Sequence, residues 1–415
     1  MTGGSYAATV RLDPPETPLD DRPERLRVAQ IATNFTAGGG GVVLRDTLAL
    51  DPDRFTCTIF APEGGSLIEV AEEAGLQVIR LRHFKTGRSI YPRSDRTAYK
   101  EIVGHLEAGS YDLVHTHGSR AGALGRWAAH RTGVPVIVHT LHGLPFTEFQ
   151  SRATRSALCA VERRLGRITS YVVAAGTMVA SEAIRQKIAP SHRIRATMSP
   201  IDEVAPVTEA SRRRARRELG LPEDATVIGT ASRLSKQKGP LDMVKALAAL
   251  QRPDVYMVWI GDGDLRLQTE RLIEQKGLET RFLLLGERND VASLLPALDV
   301  FVMSSLWEGL PCAVVEAMTC GIPVVATAVN SVPEVVIPGK TGLLARPGDP
   351  ASLSQALAYM LDYPAAAARM AVAARLHVGD QSRLDLVGEE LTEIYETALQ
   401  LPPIANRKAR VSSPR

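Results

Sequence analysis

Ser304-Ser305-Leu306-Trp307-Glu308-Gly309-Leu310-Pro311-Cys312-Ala313-Val314-Val315-Glu316-Ala317-Met318 is the stretch from which the fold is read. It follows the apolar run Val300-Phe301-Val302-Met303, and the pattern predicts a buried strand over 299–303, a Gly-Leu-Pro turn and a helix over 311–319. Pro311 suits a first helical turn, while Gly321 and Pro323 end the helix. Glu308 stands just before that helix and Glu316 inside it, eight residues on. Both carboxylates can face one bound ligand, beside the free N–H groups of the helix start around Leu310 to Ala313. Alone, such a pair would be a helix cap and a surface residue. The strand, turn and helix setting points instead to a site at the carboxyl end of a sheet.

The same alternation runs outward in both directions. Downstream of Ile201-Asp202-Glu203-Val204-Ala205-Pro206, strands are expected at 226–231, 255–260, 281–285, 299–303 and 323–326, with helices at 208–219, 239–250, 264–276, 290–297 and 311–319. Upstream, Leu26 to Ala32 reads as a strand entering the glycine loop Gly38 to Gly41 and a helix through Leu50. Further strands are expected at 55–60, 78–81, 113–117 and 136–140, and helices at 66–74 and 97–107. Such alternation predicts parallel sheets covered on both faces. The fold class is therefore α/β, with two doubly wound, Rossmann-like domains facing a central cleft. Their expected extents are 25–203 and 204–385, followed by a helix over 386–400 crossing back to the first domain. Residues 1–24 and 401–415, rich in Pro and charge with few large apolar groups, read as disordered tails.

At 415 residues the chain exceeds one ordinary core, in keeping with two domains. A formal charge of +3 implies no duplex nucleic acid as partner. Cys57, Cys159, Cys312 and Cys320 have neither metal nor disulfide spacing, and the last two would lie roughly 12 Å apart on a straight helix. They read as reduced thiols of a cytoplasmic protein. No apolar run approaches the length of a membrane span.

A second loop carries charge. In Thr230-Ala231-Ser232-Arg233-Leu234-Ser235-Lys236-Gln237-Lys238-Gly239, Arg233 and Lys238 fall between a strand end and a helix start. A planar guanidinium, an ammonium and unpaired N–H groups together suit a diphosphate, although a basic solvated loop has the same composition. Glu316 suits a ribose, since a carboxylate accepts two hydroxyl hydrogen bonds at once.

With these residues in place, the chain resembles a retaining glycosyltransferase of family 4, with the two-domain GT-B architecture, from residue 26 to about 398. The resemblance rests on Arg233 and Lys238, on Glu308 and Glu316, and on Gly321-Ile322-Pro323-Val324-Val325-Ala326-Thr327. It implies catalytic roles for His142, Arg233, Lys238 and Glu308. It also implies a donor site of Gly39, Gly40, Arg233, Lys238, Gly261, Gly263, Leu285, Glu308, Gly309, Leu310 and Glu316. Arg233 and Lys238 would neutralise the donor diphosphate, Glu308 would contact the transferred sugar, Glu316 would hold the ribose, and Leu285 would line the nucleobase. His142, in Val138-His139-Thr140-Leu141-His142-Gly143, would sit beside the donor sugar. The implied reaction needs no metal or other cofactor: a nucleoside diphosphate sugar is the co-substrate, and a hydroxyl, with a lipid-linked saccharide favoured, is the acceptor. Where many relatives carry Asn-Gly-Ile-Asp between the domains, this chain has Ser199-Pro200-Ile201-Asp202, which leaves contacts from that turn open.

Five of the nine histidines fall between His115 and His142, yet no carboxylate or thiol completes a metal set, so His115, His117 and His139 are expected to shape or pack near the cleft. The run Arg212-Arg213-Arg214-Ala215-Arg216-Arg217 reads first as a solvated helix face and second as a patch for anionic lipid, which would place a cytoplasmic protein on the inner membrane face. Rival functions are a nucleotide-sugar epimerase of the same fold and glycosylation of a small specialised metabolite. A dehydrogenase is disfavoured, because the glycine loop lacks a dinucleotide fingerprint.

Overall fold

The computed structural model describes residues 25–36, 39–85, 92–147, 149–201, 206–309, 311–379 and 383–401. The first sheet contains β1 (Leu26–Ala32), β2 (Phe55–Pro62), β3 (Gln77–Leu81), β4 (Leu113–His117), β5 (Val136–Leu141), β6 (Tyr171–Ala175) and β7 (Ile194–Thr197). Its order is β3-β2-β1-β4-β5-β6-β7, all parallel, so the winding reverses between β1 and β4. The second sheet contains β8 (Thr226–Ala231), β9 (Val255–Ile260), β10 (Phe282–Leu284), β11 (Val300–Met303), β12 (Val324–Thr327) and β13 (Leu343–Ala345). In the order β10-β9-β8-β11-β12-β13 it reverses between β8 and β11. Clefts for ligands open at such reversals, beyond the carboxyl ends of the strands.

Helices fill both faces. In the first half they are α1 (Gly39–Leu48), α2 (Ile68–Glu73), α3 (Pro92–Gly109), α4 (Ser119–Thr132), α5 (Arg152–Gly166) and α6 (Thr177–Arg185). The second half adds α7 (Glu209–Glu218), α8 (Pro240–Leu250), α9 (Arg266–Gln275), α10 (Val291–Leu294), α11 (Cys312–Thr319), α12 (Val332–Val335), α13 (Pro350–Asp362) and α14 (Pro364–Gly379). Both faces of the strands are covered, and β4, β5, β6 and β11 are buried at every position, including the polar His115, Thr116, His117, His139 and Thr140.

The last helix, α15 (Leu384–Gln400), belongs spatially to the first half. Its Val387, Leu391, Ile394, Tyr395 and Ala398 close a core with Val28, Phe55, Leu113, Val136, Val138 and Tyr171. A methyl on Gly388 would lie 2.0 Å from the Ala49 carbonyl oxygen, so only glycine lets α15 sit this close to the end of α1. The two halves also share apolar surface, since Ala175 and Ile201 join the core built on β11, β12 and α11.

Candidate active site

β11 ends in Ser304 and Ser305, both buried and both bonded to neighbouring loops. Ser304 Oγ donates to the carbonyls of Lys238 at 2.8 Å and Gly239 at 3.1 Å, tying the β11 loop to the β8 loop. Ser305 Oγ donates to Glu308 Oε1 at 2.6 Å. Glu308 is only 8% exposed, and a carboxylate so placed must be paired. Lys238 Nζ reaches Oε1 at 2.5 Å, Gln237 Nε2 reaches Oε2 at 3.3 Å, and the Glu308 backbone N–H donates to Asn330 Oδ1 at 2.9 Å. Glu316, half-buried on α11, lines the same cleft with Pro311, Cys312 and Ala313. Burial, and then the Glu316 carboxylate, push the Cys312 thiol up to about 11, so it stays protonated at neutral pH. Leu310 lies outside the described residues.

The β8 loop passes from Ser232 to a 3-10 turn over Lys236–Lys238 and then into α8. Gly239 is left-handed at φ +61°, and a methyl there would come within 2.3 Å of the Ser304 carbonyl oxygen. Arg233 is exposed on the cleft wall, and its guanidinium makes no hydrogen bond or ion pair among the described residues. Gly261 and Gly263 also border the cleft, but their lack of side chains serves the loop beside them. Methyls there would stand 2.2 Å from Ser232 O and 2.4 Å from Leu234 O. These glycines let the β9 loop support the segment that carries Arg233.

Two further residues of the expected donor site are held by their neighbours. Leu285, half-buried, packs against the core built on β11, β12 and α11, and its N–H donates to Trp259 O at 3.0 Å. Gly40 is buried against the Asn34–Phe35 backbone, where a methyl would meet Phe35 Cα at 2.7 Å. Gly39 does border the cleft, with open space where a side chain would stand.

Across the cleft, His142 follows β5 and is half-buried. Its carbonyl oxygen points at Gly309, where a methyl would stand only 1.6 Å away. Arg45 Nε donates to Pro200 O at 2.8 Å, fixing the end of the first half where the chain crosses over. Further contacts join the halves: the Phe149 and Trp307 rings meet tilted, with centroids 4.9 Å apart. The Glu334 carboxylate accepts the Thr177 N–H at 2.7 Å and the Met178 N–H at 2.9 Å, capping α6 from the other half. A methyl on Gly176, at φ +99°, would collide with Ser331 Oγ at 2.3 Å in this same contact.

The histidines are hydrogen-bonded to one another and to polar neighbours. His142 Nε2 lies 3.3 Å from His117 Nδ1, and His117 Nε2 lies 2.8 Å from Gln30 Oε1. Gln30 Nε2 donates to Tyr395 Oη at 3.0 Å, which lies 2.8 Å from His115 Nδ1, and His115 Nε2 reaches Thr140 Oγ1 at 2.7 Å. His139 turns away to Thr116, 2.9 Å from its Oγ1 and 3.0 Å from its carbonyl. Burial lowers all four imidazoles, His115 to about 3, His142 to about 4, and His117 and His139 well below the ordinary range. Only His117 and His142 border the cleft; His115 and His139 are interior. Among the described residues no three His, Cys, Asp or Glu side chains are grouped to hold a metal.

The arginine run on α7 is divided: Arg213, Arg214 and Arg217 are exposed, as on a solvated face, whereas Arg212 and Arg216 turn inward. Arg216 is buried and donates to Ala297 O, Glu223 O and Asp299 Oδ2, Arg212 pairs with the other oxygen of Asp299, and Arg213 pairs with Glu209. Asp299 also accepts the Val227 N–H, so Arg212 and Arg216 anchor α7 to the start of β8. Sequence reading overlooked Gln237, Ser305, Asn330 and Arg45. Gln237 and Ser305 sit inside quoted motifs and were within reach, whereas nothing near Asn330 or Arg45 marks them.

A family model for the glycosyl transferase 4-like domain matches residues 37–197, and one for glycosyl transferases group 1 matches residues 211–377. The D-inositol 3-phosphate glycosyltransferase of Streptomyces scabiei is 30% identical over 319 residues, covering 72% of this chain and 70% of that one. The chain belongs to glycosyltransferase family 4. An Escherichia coli relative of this glycosyltransferase, UDP-Gal:alpha-D-GlcNAc-diphosphoundecaprenol alpha-1,3-galactosyltransferase, is 29% identical over 297 residues, 70% of this chain and 76% of that one. The Anabaena protein HepE, solved with UDP and glucose, superposes with a TM-score of 0.78 at 23% identity, covering 90% of this chain and 100% of that one. That likeness establishes GT-B as the fold of the glycosyltransferase. Among its described residues, no helix is long and apolar enough to cross a membrane.

Proposed function

We propose that the enzyme transfers a sugar from a nucleoside diphosphate sugar to a hydroxyl acceptor with retention of anomeric configuration. The observation that carries this reading is one cleft holding Arg233, unpaired among the described residues, and the Lys238–Glu308 pair on one wall and His142 on the other. The second domain would hold the donor, with Glu316 on the ribose, and the first would receive the acceptor. As the sugar–phosphate bond breaks, negative charge grows on the leaving diphosphate; Arg233, Lys238 and the N–H groups at the starts of α8 and α11 would stabilise it without a metal. The departing phosphate oxygen would take the acceptor proton on the same face of the sugar, so no separate base is needed. His142 would position the donor sugar, beside the wall where its carbonyl meets Gly309.

The acceptor we favour is a lipid-linked saccharide in polysaccharide or glycolipid assembly, on the inner face of the membrane. In support, the Escherichia coli relative is named for a diphosphoundecaprenol acceptor. A panel of UDP, GDP, ADP and dTDP sugars, read first by thermal shift and then by donor cleavage, tests the donor class. Product anomeric configuration by NMR tests retention. Inverted product, or no response to any donor, overturns the proposal, and an epimer formed from donor alone would favour the epimerase.

A further inference from the structure

Charge is unevenly spread along the chain. Between Arg120 and Arg195 there are twelve Lys and Arg against three Glu, a net +9 in a chain whose total is +3, which leaves −6 for everything else. Two of those glutamates are paired within the fold: Glu162 is buried against Arg126 at 2.8 Å, and Glu182 is held by Arg185 at 2.6 Å. The remaining cations gather on α5 and its neighbours. Arg131, Arg152, Arg163, Arg164, Arg167 and Lys187 are exposed, and none forms an ion pair with a carboxylate among the described residues.

α5 arranges these cations around a flat strip. Its outward side carries the exposed Ala153, Ala157 and Ala160, with Arg152 and Arg163 about three turns apart along one edge. On that edge Arg152, Arg155 and Arg163 line a pocket of about 310 Å³, together with Ser156 and Gln186. Arg163 is fixed there, since its Nε donates to the Gln186 carbonyl at 2.6 Å. Val161 and Arg164 stand exposed on the opposite edge, where the Arg164 guanidinium lies 5.5 Å over the exposed Trp127 ring of α4. Arg131, one turn on from Trp127, extends the same edge.

We propose that this face of α4 and α5 is the surface by which the enzyme sits on an anionic phospholipid bilayer, with the pocket of Arg152, Arg155 and Arg163 taking a headgroup phosphate and Trp127 entering the interface. Guanidinium forks match phosphate oxygens, an indole suits a boundary that is wet on one side and apolar on the other, and the alanine strip lets the helix lie close to the surface. A nucleic acid duplex would meet the same cations, but it offers nothing apolar to Val161 and the alanines, whereas the boundary between headgroups and acyl chains does. α7 is the weaker candidate, because its exposed arginines are only Arg213, Arg214 and Arg217, and Arg213 is already paired with Glu209. The first-half wall of the cleft runs on to Thr154 and Leu158 of α5, so a bilayer beneath this face brings a lipid-linked hydroxyl to the edge of the cleft. That use rests on the acceptor reading above, whereas binding to lipid does not.

The test uses the full chain and phosphatidylcholine vesicles with or without phosphatidylglycerol. The enzyme should float with the anionic vesicles and not with the neutral ones, and brominated acyl chains should quench its tryptophan emission. Trp127→Phe should abolish that quenching, since Trp259 is buried and Trp307 stands in the cleft. Replacing Arg152, Arg163 and Arg164 together by alanine should weaken partitioning by about 100-fold, near a factor of five for each cation at an anionic surface. The matched alanine triple at Arg213, Arg214 and Arg217 should change it by less than about threefold, because charges beyond a Debye length of the lipid are screened. Absence of flotation with anionic vesicles overturns the proposal. So does flotation without quenching of Trp127, which marks a general polyanion surface, and so does an equal loss in the two triple variants. If the vesicles bind as expected and no donor is turned over, the surface stands and the functional reading falls.

Discussion

Gly309 and His142 meet across the cleft with no room for a side chain: a methyl on residue 309 would be 1.6 Å from the His142 carbonyl oxygen. A glycine in the carboxylate-bearing turn of one domain thus sets how closely the other domain approaches. Gly309→Ala should leave each core intact, with a melting temperature near that of the wild type, yet hold the cleft open. Turnover should drop by about 100-fold, the scale of a 1 Å misplacement of reacting groups. Scattering profiles showing an unchanged radius, together with wild-type rates, would falsify this account of the turn.

Arg233 and Lys238 should separate under substitution. Arg233 is exposed and unpaired among the described residues, so Arg233→Ala should alter stability by less than about 0.5 kcal/mol and still lose roughly 100- to 1000-fold in turnover. Lys238 partners the buried Glu308, so Lys238→Ala should also destabilise the protein, by about 3–5 kcal/mol if Glu308 stays charged. Denaturant titrations of the two variants check this, and equal midpoints would show that the pair does not hold the loops.

Acid should weaken the fold through its histidines. His115, titrating at about 3, His142, at about 4, and the lower-shifted His117 and His139 would all titrate near 6.5 when unfolded. Between about pH 4 and 6.5 the unfolded chain binds the extra protons, so stability rises with pH across that window and is lost as pH falls. Asp46 and Glu390, whose carboxyls burial raises, oppose them with two groups against four. The slope should stay positive, near 1.4 kcal/mol per pH unit for each net proton. A melting temperature that is flat from pH 4.5 to 6.5 would contradict neutral, buried imidazoles.

Asp46 itself has the opposite sign. Burial on α1 raises its carboxyl from 3.8 to about 7, so the folded state holds the extra proton between those values and stability is lost as pH rises through 7. At pH 8 a charged group is trapped in the core. Asp46→Asn should therefore raise the melting temperature at pH 8 much more than at pH 4. A gain equal at both values would mean that ionisation is not the cause.

Glu334 caps α6 from the opposite domain, through N–H bonds of 2.7 and 2.9 Å. Glu334→Ala should cost about 1 kcal/mol, as loss of a helix cap does, and should loosen the domain contact rather than either core. Faster amide exchange at Thr177 and Met178, with the first sheet still protected, is the expected result. Unchanged exchange at those two amides would rule the contact out as a clasp.

Much of the fold was legible because covered strands are rich in apolar residues and alternate regularly with helices. The expected strands at 26–32, 113–117, 226–231 and 255–260 stand where the structure has them. Less visible were α4, with its small residues and buried Arg126, and β6, β7 and β13, which are short. The quoted motifs did bring Lys238 and Glu308 together, since each lies at a strand end beside the reversal point. Tyr395 and Gln30 are 365 positions apart, and only closure of the whole fold makes them neighbours.

The position of α15 has a consequence for biosynthesis. β1 through β7 leave the ribosome with the apolar surface that will meet Val387, Leu391 and Ile394 still bare, and the entire second domain must be translated before that cover arrives. The first domain thus cannot complete its core during elongation, although domains usually fold in the order they are made. A nascent chain halted before residue 384 would present a ready substrate for chaperones and proteases, so that release of the finished polypeptide, more than emergence of either domain, marks the onset of a stable enzyme.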